Sequence, residues 1–198
     1  LDFPTNYATD PEDYLVKGFE FRDKWRNEEL ITTSIAPHAP YSVSNEAFTL
    51  INTYSEELNI NIHTHLHETQ WEIDQSIDKY GITPVQRLNN LGIIGPSLMA
   101  AHCVYLNDQD MDILAKNKVS IAHNPSSNMK LGSGIADVAK MLKQNLTVSL
   151  GTDSSASNNR LDIMGEMRLA ALLIKGTTKS PELIPAKEAI KMATINGA

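Results

Sequence analysis

The sequence contains little that would cross-link the chain, insert it into a membrane or attach it to nucleic acid. A single cysteine among 198 residues excludes an internal disulfide framework, and a reducing cytoplasm is the expected compartment. No apolar run approaches the ~20 residues that a membrane-spanning helix needs, and the N-terminal residues are neither basic nor apolar enough for a secretion signal. The net charge is −7 without any basic block, so we expect neither a nucleic-acid nor a membrane partner.

The remaining composition, 41% hydrophobic and 21% charged, is that of an ordinary globular protein. Several short segments are apolar almost without interruption and rich in β-branched residues, which is typical of buried parallel strands. These segments predict strands at 31–36, 60–65, 98–104, 119–123 and 146–150.

The segments between these strands have helical patterns. Ser44 and Asn107 are placed to cap two helices, and Asp10 and Pro11 to open an earlier one that runs through Trp25. Further helices are predicted at 135–144, 161–174 and 186–195, the last with Pro185 in its first turn. Alternating strands and helices predict an α/β fold with right-handed βαβ units around one parallel sheet.

Polar residues fall at the C-terminal ends of the predicted strands. They are His38, His65, His102, His123 and Asp153. A lone histidine is usually a hydrogen-bonded structural group, but such a coincidence at successive strand ends is improbable. In a (β/α)8 barrel the active site is built at this end from several strands, so the pattern predicts a site for metal binding and proton transfer.

The densest cluster of these residues lies at 61–69, Asn-Ile-His-Thr-His-Leu-His-Glu-Thr. Alternation would place His63, His65 and His67 on one face if the strand persisted, and from spacing alone any two of them could chelate a metal. His63 lies furthest from the strand end and best fits a packed, hydrogen-bonded structural role. Glu68 could face the pocket and transfer protons.

The segment 151–159, Gly-Thr-Asp-Ser-Ser-Ala-Ser-Asn-Asn, follows the last predicted strand. Asp153 could bind a metal there and accept a proton from water. The alternative is a helix cap, for which Ser157 and Asn158 are the better candidates. A bound Zn²⁺ or Fe²⁺ lowers the pKa of a water from about 16 towards ~7, so the residues suit metal-assisted hydrolysis. The residues by themselves do not assign the acid and base roles.

Six segments in a fixed order now identify a family resemblance. They are Ala-Pro-His-Ala-Pro-Tyr at 36–41, His-Leu-His-Glu-Thr at 65–69, Ala-His-Cys at 101–103, Ser-Ile-Ala-His-Asn-Pro-Ser-Ser-Asn-Met-Lys-Leu-Gly at 120–132, Gly-Thr-Asp through Ala-Ser-Asn-Asn at 151–159, and Gly-Glu-Met-Arg at 165–168. The chain resembles the amidohydrolase superfamily, and within it the branch of 5′-methylthioadenosine/S-adenosylhomocysteine deaminases and chlorohydrolases. The similarity covers almost everything from residue 31 to residue 198.

The resemblance implies roles for the candidate residues. His65 and Asp153 correspond to metal ligands of the fifth and eighth barrel strands, and Asp153 also accepts a proton from the attacking water. Glu68 corresponds to the residue that protonates and hydrogen-bonds the purine ring. His102 corresponds to the sixth-strand histidine that contacts the attacking water and the attacked carbon. The implied catalytic set is therefore Glu68, His102 and Asp153.

The resemblance also implies substrate contacts by His38, by Glu68 and by Ser157, although a capping role for Ser157 stays equally open. His123 lies in the seventh-strand segment and receives no catalytic role. Cys103 is next to His102, but the family uses no thiol chemistry there, so we expect a buried small residue.

The family's metal site also needs a His-x-His pair on the first barrel strand, and no such strand is present upstream of Ile31. Residues 1–30 are expected to be the lid and helix before strand four, and residues 31–198 strands four to eight of a (β/α)8 TIM-type barrel. One partial domain, truncated at both ends, is therefore the expectation. Five strands cannot close such a barrel and two protein ligands hold a metal weakly, so we expect the isolated chain to be inactive or poorly folded.

The function implied for the full-length parent is hydrolytic deamination of adenine nucleosides such as 5′-methylthioadenosine or S-adenosylhomocysteine. One divalent metal is expected, Zn²⁺ before Fe²⁺, with a small heterocyclic substrate and a homodimer. The alternatives are an s-triazine or N-ethylammeline chlorohydrolase, a guanine-type deaminase, or an inactive barrel that binds a ligand. A zinc-type nucleic-acid deaminase is disfavoured, because there is one cysteine and no basic groove.

Overall fold

The computed structural model describes residues 1–198 and contains one five-stranded sheet. Its strands are β1 Ser34–Ile35, β2 Asn61–Leu66, β3 Leu98–His102, β4 Ser120–His123 and β5 Thr147–Leu150. They lie side by side in chain order, and every neighbouring pair is parallel. The α/β fold with a parallel sheet is therefore confirmed.

Ten helices precede, separate or follow the strands. They are α1 Pro11–Trp25, α2 Asn45–Leu58, α3 Gln70–Tyr80, α4 Pro84–Asn90, α5 Asp108–Lys116, α6 Pro125–Leu131, α7 Val138–Lys143, α8 Ser155–Asn158, α9 Ile163–Thr178 and α10 Ala186–Ala193. Short 3₁₀ turns occur at Pro40–Ser42 and Ile195–Gly197. None of the helices combines the length and apolarity that crossing a membrane requires.

Two predicted strands are longer than the observed ones by more than one residue. The first, expected at 31–36, is paired only at Ser34 and Ile35, because it is an edge strand with a single neighbour. The third, expected at 98–104, ends at His102, because His102 and Cys103 have φ angles of 72° and 49°. Positive φ is incompatible with an extended strand, so the chain turns there.

The predicted helix caps are confirmed where a short polar side chain meets the first turn. Ser44 Oγ accepts a hydrogen bond from Ala47 N at 3.2 Å, and Asn107 Oδ1 accepts one from Asp110 N at 2.9 Å. Asp10 caps α1 in the same way, and α1 runs through Trp25 as expected. These bonds satisfy backbone donors that have no partner inside the helix.

Other helix boundaries differ from the prediction. The helix expected to start at 135 starts at Val138, because Asp137 caps it, and the helix expected at 161–174 spans Ile163–Thr178, because Asp162 caps it. Pro185 is the N-cap residue of α10 rather than part of its first turn, and α10 ends at Ala193. Both α7 and α9 therefore begin after an aspartate whose carboxylate accepts a backbone hydrogen bond.

The core lies between the sheet and the helices. Strand residues of one face pack against helix residues in a cluster of 26 buried side chains, among them Ile62, Leu66, Leu98, Ile121, Val148, Phe48, Leu88, Leu114 and Met141. The opposite face of β2 and β3 carries His63, His65 and Met99, which are exposed or half-buried. Alternation along the strands therefore directs apolar residues into the core and histidines onto an open face.

Candidate active site

A cavity runs along the open face of the sheet and reaches the C-terminal ends of the strands. This cavity has a volume of about 390 Å³, and its lining includes His63, His65, His102, Asn124 and Asp153. Glu68 adjoins it, because Glu68 Oε2 lies 3.8 Å from His102 Nε2. Four of the six predicted site residues are therefore brought together around this cavity.

His65 is oriented by the loop that follows β1. Its backbone N–H and its ring Nδ1 both lie within hydrogen-bond distance of the His38 carbonyl oxygen, at 3.1 Å and 2.6 Å. A carbonyl oxygen can only accept, so Nδ1 carries the proton and Nε2 keeps its lone pair. The ring also stacks on His102, with centroids 5.3 Å apart. An oriented imidazole with a free Nε2 is the form in which histidine binds a metal.

Of the two other histidines, His67 departs from the predicted alternation, and His63 follows it but does not have the packed structural role expected for it. The strand ends at Leu66, and His67 has a φ of 53° that turns its ring into the core. There Nδ1 donates to the Tyr105 carbonyl at 3.0 Å and Nε2 accepts from Val85 N at 3.1 Å, while burial lowers the pKa of His67. His63 is exposed in the cavity rather than packed, because the sheet face above it is open.

Glu68 is held at both its backbone and its side chain. Ser133 Oγ donates to Glu68 Oε1 at 3.0 Å, and Glu68 N donates to Glu72 Oε2 at 2.9 Å. Glu72 is buried at 1% exposure, and this burial raises the pKa of its carboxyl to about 7. The left-handed turn at His67 and the Glu72 carboxylate together direct Glu68 towards His102.

His102 ends β3 and is buried. Its Nδ1 lies 2.8 Å from Asn128 Oδ1, and its Nε2 faces the Glu68 carboxylate. The next residue, Cys103, is completely buried, and burial raises the pKa of its thiol well above the usual range. The expectation of a buried small residue is confirmed.

Asp153 lies in the loop after β5 and has a φ of 59°. Ser127 Oγ donates to its Oδ2 at 2.6 Å, and Ser154 N donates to its Oδ1 at 2.7 Å. Burial alone would raise the pKa of Asp153, but these hydrogen bonds to the carboxylate hold the pKa below its ordinary value. Asp153 is therefore an ionised acceptor at neutral pH.

A serine of the segment after Asp153 does cap the next helix, but the two residues expected as the better cap candidates are wrong. Ser154, rather than Ser157 or Asn158, is the N-cap of α8, and its Oγ accepts from Ser157 N. Ser157 is buried inside this short helix, and its Oγ donates to the Ser154 carbonyl at 3.2 Å. Asn158 instead donates to the Thr152 carbonyl and to Glu166. Ser154 is the cap because it directly precedes the first turn of α8, whose backbone N–H groups have no partner inside the helix.

His38 is exposed on the rim, three residues beyond β1. Its Nδ1 lies 2.8 Å from Ser42 Oγ, and its ring meets the rings of His65 and Tyr41 edge to face. Tyr41 in turn contacts Trp71, with centroids 5.4 Å apart. A second cavity of about 710 Å³ includes His38, Tyr41 and Trp71 in its lining, so His38 lies between the two cavities.

Sequence reasoning missed Ser127, Asn128 and Ser133, which hydrogen-bond Asp153, His102 and Glu68. The motif at 120–132 contains two of them, but no spacing rule predicts which distant residue a serine or asparagine reaches. His123, at the end of β4, is buried with its Nδ1 unpartnered, and burial lowers its pKa to about 4. It is therefore neutral at neutral pH.

The donor set fits a divalent metal in part. His65 Nε2 and the Asp153 carboxylate are nitrogen and oxygen donors of the kind that Zn²⁺ and Fe²⁺ accept. No group of three or more His, Cys, Asp or Glu side chains is close enough to hold a metal. These residues thus supply two donors, one fewer than the three protein ligands common in catalytic zinc sites.

The chain belongs to the amidohydrolase family, whose family model matches residues 11–198. It is 44% identical over 185 residues to a 5-methylthioadenosine/S-adenosylhomocysteine deaminase of Dictyoglomus turgidum, covering 92% of this chain and 43% of that one. It is 47% identical over 186 residues to a 5'-deoxyadenosine deaminase of Methanococcoides burtonii, covering 93% and 43%.

The fold agrees with this family. The crystal structure of an adenosine deaminase from Xanthomonas campestris with bound zinc superposes with a TM-score of 0.96 at 36% identity, covering 100% of this chain and 45% of that one. The chain therefore spans less than half the length of the relatives that it matches.

Proposed function

We propose that the protein containing this chain is a metal-dependent hydrolytic deaminase of adenine nucleosides with a modified 5′ group, of the 5′-methylthioadenosine and S-adenosylhomocysteine type. The observation that carries the proposal is the approach of Glu68 to His102, at 3.8 Å, beside the cavity lined by His65 and Asp153. Two relatives, a deaminase of 5-methylthioadenosine/S-adenosylhomocysteine and one of 5'-deoxyadenosine, support this substrate class.

His65 Nε2 and Asp153 would hold the metal, with Zn²⁺ preferred over Fe²⁺. When bound, a divalent metal supplies Lewis acidity that makes water a nucleophile at neutral pH. The zinc in the adenosine deaminase structure supports this choice. Because two donors are fewer than a catalytic zinc site needs, further ligands would come from outside these residues.

The residues of the chain would move the protons. Water adds to the purine carbon that bears the amino group, and ionised Asp153 accepts a proton from that water. Glu68 donates a proton to the ring nitrogen, and His102 orients the attacking water through Nε2. Asp153 then passes the proton that it took from the water to the amino group, the carbon–nitrogen bond breaks, and ammonia leaves. The remaining hydroxyl proton returns to Glu68, so the oxygen stays on the ring as a carbonyl and both carboxyl groups are restored.

His38 and Ser157 are the proposed substrate contacts besides Glu68. His38 lies between the two cavities, where a nucleoside occupying the first would extend its ribose or 5′ group towards the second. Ser157 is buried beside the Asp153 loop, so its contact with substrate requires a change in its present hydrogen bond to Ser154.

Residues 1–30 are proposed as the lid and helix before the fourth strand, and residues 31–198 as strands four to eight of the catalytic barrel. A homodimer is proposed for the complete protein. Size-exclusion chromatography with light scattering measures this oligomeric state, and a monomer at micromolar concentration contradicts it.

A substrate panel tests the activity. The complete gene product, loaded with zinc, is assayed on 5′-methylthioadenosine, S-adenosylhomocysteine, adenosine, guanine and chlorinated s-triazines, with ammonia and chloride release as the two readouts. Ammonia release fastest from the 5′-modified adenosines supports the proposal. Fastest release from guanine, or chloride release from triazines, selects the alternative activities. Binding without turnover selects the non-catalytic alternative.

A further inference from the structure

One short segment contacts all three of the proposed acid–base residues. Ser127 Oγ donates to Asp153 Oδ2 at 2.6 Å, Asn128 Oδ1 lies 2.8 Å from His102 Nδ1, and Ser133 Oγ donates to Glu68 Oε1 at 3.0 Å. The three partners follow three different strands, β5, β3 and β2. The contacting side chains all lie on α6 or on the turn that ends it, within the segment Ser127–Ser133.

This segment is fixed at both ends. At its start, Ser126 N donates to Glu166 Oε2 at 3.0 Å, and Glu166 is a buried residue of α9. At its end, Gly132 has a φ of 71°, and Ser133 N donates to the Asn128 carbonyl at 2.8 Å. Lys130 reaches across to the Ala156 carbonyl of α8 at 2.7 Å. A helix so anchored can hold three partners at fixed distances from one another.

We propose that the segment Ser127–Ser133 is a positioning element for the acid–base residues, in which Asn128 sets the tautomer of His102. The proposal rests on the proposed function for the roles of Glu68, His102 and Asp153. None of the positioning residues has to touch the substrate.

The central contact is that of Asn128 with His102. The amide oxygen can only accept a hydrogen bond, so His102 Nδ1 carries the proton and Nε2 keeps a lone pair. That lone pair is on the nitrogen that faces the carboxyl group of Glu68, the proposed proton donor, at 3.8 Å. The other tautomer would place a proton on Nε2 and remove the acceptor for the attacking water. Both residues are about 1% exposed, so no bulk water competes for the contact.

The amide nitrogen of Asn128 supports a role in positioning His102. Asn128 Nδ2 is buried and has no hydrogen-bond partner. An unpaired buried donor is unfavourable, so a residue chosen only for stability would not place an amide there. The unpaired Nδ2 also makes Asn128→Asp a useful variant, because the exchange keeps an oxygen beside His102 Nδ1 and removes no existing hydrogen bond.

The test measures the tautomer directly. The complete gene product is labelled with ¹⁵N-histidine, and the His102 ring nitrogens are assigned by comparison with His102→Gln. The wild type is expected to show His102 with the proton on Nδ1. In Asn128→Ala, the Nε2-protonated form is expected to become a major population, and in Asn128→Asp the Nδ1 proton is expected to be retained. This readout needs neither substrate nor turnover.

Kinetics provide the second readout. Asn128→Ala is expected to lower kcat about 10- to 100-fold with KM within about threefold, as for other residues that orient a catalytic group. Asn128→Asp is expected to recover most of that loss. Ser127→Ala and Ser133→Ala are expected to lower kcat in the same way, and Ser133→Thr to recover it. Ser126→Ala is the matched control, because Ser126 bonds Glu166 through its backbone N–H, which alanine keeps.

The outcomes are decisive in either direction. An Nε2 proton on His102 in the wild type, or an unchanged tautomer in folded Asn128→Ala, overturns the proposal. If Asn128→Ala does not fold, Asn128→Asp decides, because an Nε2 proton in that variant equally overturns it. The expected tautomers in a protein that deaminates none of the nucleosides support the positioning role while rejecting the proposed function.

Discussion

Four residues around the candidate site have positive φ angles although none is glycine. They are His67 at 53°, His102 at 72°, Cys103 at 49° and Asp153 at 59°. Such angles cost of order 1–3 kcal/mol each and persist only where the surroundings impose them. Here each of the four residues ends or follows a strand. The positive φ turns the side chains of His102 and Asp153 towards the cavity and those of His67 and Cys103 into the core. Two of the chain's strained positions, His102 and Asp153, are thus proposed proton-handling residues.

At the residue scale, the proposed proton donor is the most direct target. Replacing Glu68 with glutamine keeps its size and its contact with Ser133 but removes the transferable proton. We expect kcat for ammonia release to fall by about 10²- to 10⁴-fold with little change in KM, the range typical of general acid–base groups. Glu57→Gln, on the exposed side of α2, is the control and should match the wild type. Full activity of Glu68→Gln would remove Glu68 from the mechanism.

Glu72 should make stability depend on pH. Burial raises its pKa to about 7 from an ordinary 4.5, so the folded state binds a proton more tightly than the unfolded state. The stabilisation that comes from this tighter proton binding is fully present below pH 4.5 and is lost as the pH rises through about 7. Compared with Glu72→Gln, which has no proton to lose, the wild type should lose about 3 kcal/mol of unfolding free energy between pH 4.5 and 8.

Urea unfolding at pH 4.5, 6 and 8 measures this difference, and Glu57→Gln serves as the reference for an exposed carboxylate. A wild-type-minus-variant difference that stays constant across this range would show that Glu72 titrates normally.

At the element scale, Gly151 directly follows β5, at a point where the backbone approaches the loop after β4. A Cβ placed there would fall on Asn124 Oδ1, which belongs to the cap of α6. Gly151→Ala must therefore displace the buried Asn124 side chain, and we expect it to destabilise the protein by about 1–3 kcal/mol, as overpacking does. Ammonia release should fall with it.

Gly18→Ala is the matched control. Gly18 is inside α1, and nothing lies within 4 Å of a Cβ built there. Alanine is the better helix former, so this variant should gain about 0.5–1 kcal/mol. Equal stability changes in the two variants, measured by thermal unfolding, would contradict the steric explanation for Gly151.

Helix starts show how far local sequence information reaches. Ser44, Asn107 and Asp10 were predictable as caps, because each side chain bonds a backbone N–H three residues ahead. The cap of α8 was not predictable, because the segment contains several serines and asparagines in succession. The path of the chain after Asp153 makes Ser154 the cap. The short first strand was likewise unpredictable, since its length depends on where β2 lies beside it.

At the scale of the whole molecule, the chain exposes more surface than its mass predicts. Its accessible surface is 10977 Å² at 21.9 kDa, whereas a folded monomer of this mass exposes about 9,300 Å². The excess agrees with the open sheet face that carries His63 and Met99, and with a sheet whose edge strands β1 and β5 each have one neighbour.

We therefore expect the 198-residue chain, expressed alone, to bind less zinc than the complete gene product and to release no ammonia. The physical reasons are the two-donor metal site and the uncovered sheet face. Zinc per chain after dialysis, measured by mass spectrometry, and ammonia release from 5′-methylthioadenosine are the two measurements. Stoichiometric zinc and full activity in the 198-residue chain would contradict both reasons.

The sequence by itself determined the parallel α/β fold and the strand ends at which His65, His102 and Asp153 lie, because both depend on apolar patterning and on local order along the chain. The tertiary structure alone decided which of the three neighbouring histidines faces the cavity, since a left-handed turn at His67 interrupts the alternation. It alone also identified Ser127, Asn128 and Ser133, whose hydrogen bonds span 26 to 65 residues. Contacts of that range depend on how the loops of separate strands meet, which no local pattern encodes.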